Sequence, residues 1–248
     1  MEFFGEVFAW FADPRQWSGS DSIPVRLGEH LLLSVIPFIG AALIGLPIAA
    51  WVGHTGRGGA IAINVTNVGR AIPSLAIMAL AAMLLNRFLV DIGLRREAGE
   101  ITTIVAMAAL AIPPIVTNTY VGISEVERDL VEAARGMGMS GMQILRRVEL
   151  PMALPVILAG MRTAAVQVVA TATLGAVFGT GALGRYIIDG IAQRNHPEVF
   201  AGAVIVATLS ILTELSFAFI QRRLISPGLA PRMEPLRELG QVPRGVEL

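Results

Sequence analysis

Five long apolar runs divide the chain, and polar residues mark where each one ends. Leu31 to Val52 is 22 residues without a charge, about 33 Å as a helix and enough to cross a ~30 Å hydrocarbon core. A second run, Ala60 to Leu85, is interrupted by Asn64, Asn67, Arg70 and Pro73. The first three, spaced three apart, drift slowly around one side of a helix and must face protein or water instead of lipid. Pro73 predicts a break or kink. The third run, Ile101 to Ile123, contains Pro113 and Pro114, with Asn118 and Tyr120 near its end. Leu154 to Phe178 holds one charge, Arg162, and Val199 to Ile220 holds one, Glu214. The pattern predicts an all-α integral membrane protein with five transmembrane helices between residues 31 and 225.

Two flanking segments differ from this core. In residues 1–30, Phe3, Phe4, Val7, Phe8 and Phe11 share one helical face, which predicts an amphipathic tail at the membrane interface with Trp10 and Trp17 at headgroup level. Its polar face has no basic residue to attract anionic lipid, so plain packing is the stronger expectation. The segment also lacks the features of a cleaved signal. Residues 226–248 form a Pro-rich polar tail, expected to be flexible and cytoplasmic.

The longest charged stretch between runs, residues 124–151, predicts two short helices outside the bilayer. Ser124 followed by Glu127 fits a capping box, placing a helix from near Glu125 to about Met137. Gly138 supplies a left-handed terminator. Ser140 and Gln143 fit a second box, starting a helix that reaches Glu149, where Pro151 limits its extension. Val126, Leu130, Ala133, Ala134 and Met137 share a face, and Met137, Met139 and Met142 give it an adaptable apolar margin. That face suits a groove on a partner or the protein's own spans equally well. Tethering to spans at both ends excludes reading the pair as a DNA-binding motif.

Composition sharpens the class. Apolar residues make up 54% of the chain and charged residues 15%, as befits a membrane protein. There is no cysteine and no lysine, so neither a thiolate site nor a P-loop, which needs its lysine, is available. The balance of 19 basic and 19 acidic residues provides no field for nucleic acid. Gly179, Gly181 and Gly184 spell a dinucleotide fingerprint, but after a membrane helix and not a strand, so they are read as a tight turn. Gly175 and Gly179 form a G-x-x-x-G, a candidate contact between two copies of the chain. His30, His54 and His196 are scattered, and no metal site or catalytic constellation is expected.

Glu132, Ala133, Ala134, Gly138, Val148, Leu150 and Pro151 have the spacing E-A-A, three residues, G, nine residues, I-x-L-P, with Val148 in the Ile position. This resembles the EAA loop of ABC-transporter permease subunits. Stretches around Pro73, Tyr120, Arg162 and Gly181 resemble the osmoprotectant branch of that family, importers of glycine betaine, choline, carnitine or proline betaine. Arg70 and Thr117 depart from that branch, which commonly has Gln and Arg there. The resemblance implies a type I permease fold with a MetI-like core, placed in the bacterial inner membrane. It implies that Glu132, Ala133, Ala134, Met137, Met139, Gly138, Leu150 and Pro151 couple the chain to a cytoplasmic ATPase. That ATPase would bind ATP and Mg, this chain holding no cofactor. A second permease copy and an external solute-binding protein are the other implied partners.

Other residues are expected along a path through the membrane: Asn64, Asn67, Arg70, Pro73, Asn118, Tyr120, Arg162 and Glu214. Arg162 and Glu214 fall at one depth, about 10 to 12 Å from the cytoplasmic ends of their helices, and are expected to pair. Packing and transport remain open as the role of that pair. Tyr120, Tyr186 and Trp51 are weaker candidates for holding a quaternary ammonium. With the EAA-like loop cytoplasmic, ten arginines lie inside and seven outside, putting the N-terminus outside and the C-terminus in the cytoplasm. The competing classes are a stand-alone ion-coupled transporter, for which no second copy of the Asn64 to Pro73 pattern is found, and a permease for another small polar solute such as an amino acid.

Overall fold

The computed structural model describes residues 2–225, without the side chains of Ile61, Ala62, Val65 and Arg70. The tail expectation for 226–248 lies outside the described residues. Among those described, every regular element is helical. The helices are α1 (Glu2–Ala12), α2 (Ile23–Thr55), α3 (Gly59–Ala71), α4 (Ser74–Asp91), α5 (Ala98–Ser124), α6 (Arg128–Gly136), α7 (Gly141–Ile144), α8 (Leu150–Ala172), α9 (Gly184–Gln193) and α10 (His196–Leu224). Five spans are long and apolar enough to cross a membrane: α2, α4, α5, the continuous helical segment Gly141–Phe178 that contains α7 and α8, and α10.

The bundle is built around α5. Its most apolar window is 56% buried, against 6% for α10, so the third run is a core helix and the fifth a peripheral one. Met107, Ala111 and Ile115 of α5 meet Leu33, Ala41 and Ala42 of α2 and Ala164 and Val168 of α8. Small residues set the spacing. A Cβ on Gly160 of α8 would sit 2.5 Å from the Asn118 Cβ and 2.7 Å from the Pro114 carbonyl oxygen of α5. Only glycine allows the two helices to cross that closely.

The adjacent prolines do not break α5. Pro114 has no N–H, so the Leu110 carbonyl one turn earlier loses its helical partner. Gln167 of α8 donates its amide to that oxygen at 3.4 Å. A neighbouring helix thus satisfies the freed backbone group, as the hydrocarbon core requires.

Several boundaries depart from the apolar runs. The first span starts at Ile23 and includes polar residues, because each finds a partner. Arg26 pairs with Asp21 and Glu29, Glu29 accepts the Ala182 N–H at 2.7 Å, and His30 meets the Val169 carbonyl at 3.0 Å. The second run is two helices, broken at Ile72 and Pro73 with Ile72 extended (φ −80°, ψ 128°). The expected break is therefore complete, and the span by length and hydropathy is Ser74–Asp91 in place of Ala60–Leu85.

The amphipathic tail packs on the bundle. Phe3 and Phe4 of α1 meet Phe200 edge-on, Trp10 meets Tyr186, and Val7 is buried. Trp17 turns back to donate its indole N–H to the Phe11 carbonyl at 2.8 Å. The expected copy-to-copy role of Gly175 is also redirected. A Cβ there would strike Thr180 and Thr103 of the same chain, while Gly179 takes φ +85° and closes the turn after α8.

Candidate coupling loop and membrane path

The charged stretch forms a helical hairpin at one end of the bundle, but its first helix starts later than the capping-box reading predicts. α5 runs through Ser124, whose hydroxyl donates back to the Val121 carbonyl at 3.2 Å instead of capping a new helix. α6 opens at Arg128, with no side-chain cap at Glu127. Its end matches expectation. Gly138 has φ +81°, its N–H bonds the Arg135 carbonyl at 3.0 Å, and the Met139 N–H reaches the Ala134 carbonyl at 3.2 Å. That is a Schellman termination, which any side chain at 138 would strain.

The second capping box is present in full, with the Ser140 N–H donating to Gln143 at 2.8 Å. Pro151 does not stop the helix that follows. Residues Leu145–Glu149 form a π turn, in which the Leu150 N–H bonds the Leu145 carbonyl, and the chain continues as α8 with Pro151 in its first turn. One extra residue in the turn accommodates a proline that lacks its N–H and whose ring crowds the preceding turn.

The two alanines of the motif have opposite environments. Ala134 is 2% exposed, whereas Ala133 is exposed. Ala133 continues outward with Leu130, Met137 and Met142, so the apolar face read from spacing splits into an inner anchor and an outer strip. Glu132 lies on a shallow cavity of about 240 Å³ shared with Gly53, Ile123, Arg128, Arg135 and Glu149. Met139 is half-buried at the turn, Leu150 packs with Ile157 and Ile123, and Pro151 is exposed.

The path candidates separate into three places. On α3, Asn64 and Asn67 are exposed on the surface of the chain, while Thr66 faces inward and accepts from the Thr117 hydroxyl at 2.9 Å. The side chain of Arg70 lies outside the described residues. A cavity of about 330 Å³ opens at the α3–α4 break, lined by Pro73, Ser74, Pro113 and Gln167. On α5, Asn118 donates to the Pro114 carbonyl at 2.8 Å, and Tyr120 lies against Gly59. Arg162 and Glu214 pair across α8 and α10 as expected, with side chains 35% and 40% exposed on the chain's own surface.

The aromatic candidates do not converge. Tyr186 is buried and donates to the Asp21 carbonyl at 2.6 Å, Trp51 is exposed on α2, and Tyr120 packs at the start of α3. No group of three or more metal-ligating side chains occurs among the described residues.

One polar contact was not legible beforehand. His54, in the last turn of α2, places Nδ1 2.5 Å from Oε2 of Glu149 in the π turn, and Glu149 is 5% exposed. The two residues are 95 positions apart, and the available signal was an acid flanked by apolar Leu145, Met152 and Ala153 on a helix.

A model of the binding-protein-dependent transport system inner membrane component family matches residues 41–226. The chain belongs to that family. It is 33% identical to the glycine betaine/carnitine/choline transport system permease protein OpuCB of Bacillus subtilis, over 82% of this chain and 89% of the relative. It is 34% identical to the choline transport system permease protein OpuBB of the same organism, over 85% and 90%. The osmoprotectant import permease protein OsmY of Salmonella typhimurium is 36% identical over 80% of each. Among solved structures, an inward-facing MetNI methionine ABC transporter superposes with a TM-score of 0.69, covering 86% of this chain and 99% of that one at 24% identity. A second crystal form gives 0.71. The likeness establishes the MetI-like permease fold, and the family places this multi-pass chain in the inner membrane.

Proposed function

We propose that this chain is the membrane-spanning subunit of an ATP-driven importer for compatible solutes of the glycine betaine, choline, carnitine or proline betaine class. Two permease copies form the passage, an external binding protein delivers the solute, and a separate ATPase binds ATP and Mg. The hairpin 124–151 docks into that ATPase, with Glu132, Ala133, Ala134, Met137, Gly138, Met139, Leu150 and Pro151 as its working positions. The loop lies in the cytoplasm, the N-terminus outside and the C-terminus inside. The chain itself carries out no catalysis.

The observation that carries this reading is the hairpin's construction. Ala134 is buried where α6 packs on α7 and the π turn, the Schellman turn at Gly138 fixes the corner, and the strip of Leu130, Ala133, Met137 and Met142 is left exposed. An exposed, Met-rich apolar strip on a rigid hairpin suits a groove in a moving partner. Asn64 and Asn67 support the paired arrangement. Polar side chains on the outer surface of a membrane bundle need protein or water beside them.

The test is solute uptake in proteoliposomes carrying the permease, its ATPase and its binding protein. Uptake is expected only with all three and ATP, and Glu132→Ala and Gly138→Asp are each expected to lower it by roughly tenfold or more while the permease remains in the membrane. Uptake by this chain alone on an ion gradient, or normal uptake by both variants, would overturn the reading.

A further inference from the structure

The His54–Glu149 contact joins two parts of the molecule that the chain itself does not connect nearby. His54 belongs to the final turn of α2, closed by Gly56 at φ +66°. Glu149 belongs to the π turn between the hairpin and α8. Facing a carboxylate at 2.5 Å, Nδ1 takes the donor role. The other ring nitrogen faces the first turn of α7, where a Cβ on Gly141 would lie 3.2 Å from Nε2. The imidazole is therefore wedged between both ends of the hairpin's second helix, with side-chain exposures of 18% for His54 and 7% for Glu149.

The surroundings connect this wedge to the motif. Glu149 and Gly53, the residue before His54, line the same cavity as Glu132, Arg128 and Arg135. Beside it α2 presses on α5, since a Cβ on Gly53 would sit 2.9 Å from Ile123. α8 and α5 continue directly from the hairpin's two ends, so any displacement of the hairpin reaches them through the backbone. α2 has no such continuity. Its hold on the hairpin is through side chains, and a half-buried polar member of that hold is His54.

We propose that His54 is a positioning residue for energy coupling: through Glu149 it latches the hairpin to α2, so that the ATPase's stroke moves α2 together with α5 and α8. The proposal rests on the reading of the hairpin as the ATPase-docking element. A part-buried hydrogen bond to a carboxylate suits this task because it is directional, and removing the imidazole leaves Glu149, itself 5% exposed, without its partner. Without the latch, the ATPase still docks on the outer strip and hydrolyses ATP, but α2 is not carried with the hairpin.

The experiment measures ATP hydrolysed per solute imported by the assembled transporter in proteoliposomes. His54→Leu is expected to raise that ratio about tenfold, with assembly and ATP hydrolysis retained. His54→Asn, whose amide nitrogen takes the place of Nδ1, is expected to keep the ratio within about twofold of the wild type. An unchanged ratio in His54→Leu, or a parallel loss of hydrolysis and uptake, overturns the latch. Failure of both variants to assemble also overturns it, by making the pair a folding element. These outcomes are distinct from a failure of the coupling reading itself, in which the wild type imports without ATPase or Glu132→Ala imports normally.

Discussion

Tyr186 shows how one side chain ties together the end of the bundle opposite the hairpin. Its ring meets Trp10 of α1, a Cβ on Gly202 of α10 would lie 2.8 Å from its Cβ, and its hydroxyl donates to the Asp21 carbonyl ahead of α2. Burial pushes the phenol from the usual 10 up to about 12. The folded state thus holds this proton more tightly than the unfolded chain, so the contribution is present in full below pH 10 and is lost as pH rises from 10 to 12. Thermal unfolding of the detergent-solubilised protein should fall across that window, and Tyr186→Phe should flatten the fall while costing about 1 kcal/mol at neutral pH. An alkaline fall of the same size in Tyr186→Phe would count against the assignment.

At the scale of elements, the Arg162–Glu214 pair is the charged link between α8 and α10, and the depth argument from sequence found it. α10 is the least buried of the spans, at 6% of its most apolar window, and it packs elsewhere through Phe200 on Phe3 and Phe4, Gly202 on Tyr186 and Phe217 on Phe38. Removing one partner leaves a lone charge facing apolar surroundings, whereas removing both does not. Arg162→Leu and Glu214→Leu should each reduce the amount of protein recovered from membranes, and the double variant should restore it. A double variant no better than either single would show that the two act separately.

The same scale shows what the sequence could and could not disclose. Hydrophobic run length found the five crossings because lipid imposes one length on every span. The Gly138 turn and the Ser140 cap were legible because each depends on residues within one helical turn. Ser124 misled because an identical signal was overridden by packing, with Ile123 buried between α2 and α8 and the helix continuing past it. Pro151 misled because a π turn can absorb a proline that an α-helix cannot. His54 and Glu149 were invisible as a pair, since nothing local in either segment names a partner in the other.

For the whole molecule, the division between covered and uncovered polar surface matters most. α3 turns Thr66 inward to Thr117 and leaves Asn64 and Asn67 outward. In a paired permease that stripe borders either the second copy or a water-filled passage. The chain has no cysteine, so Asn67→Cys provides a unique label site. Its modification by a membrane-impermeant thiol reagent should depend on whether the ATPases hold ATP. A site that never reacts, or reacts equally in every state, would place the passage elsewhere.

The π turn before α8 has a consequence of phase. One surplus residue advances a helix by about 100°, so every side chain of α8 points where it does because of an insertion before Pro151. Gly160 against Asn118 and Arg162 against Glu214 both inherit that offset. The hairpin therefore sets the azimuth of the helix that follows it, and its length is constrained as tightly as its motif. Shortening it by a single residue would turn the small face of α8 away from α5 without altering one residue of either helix.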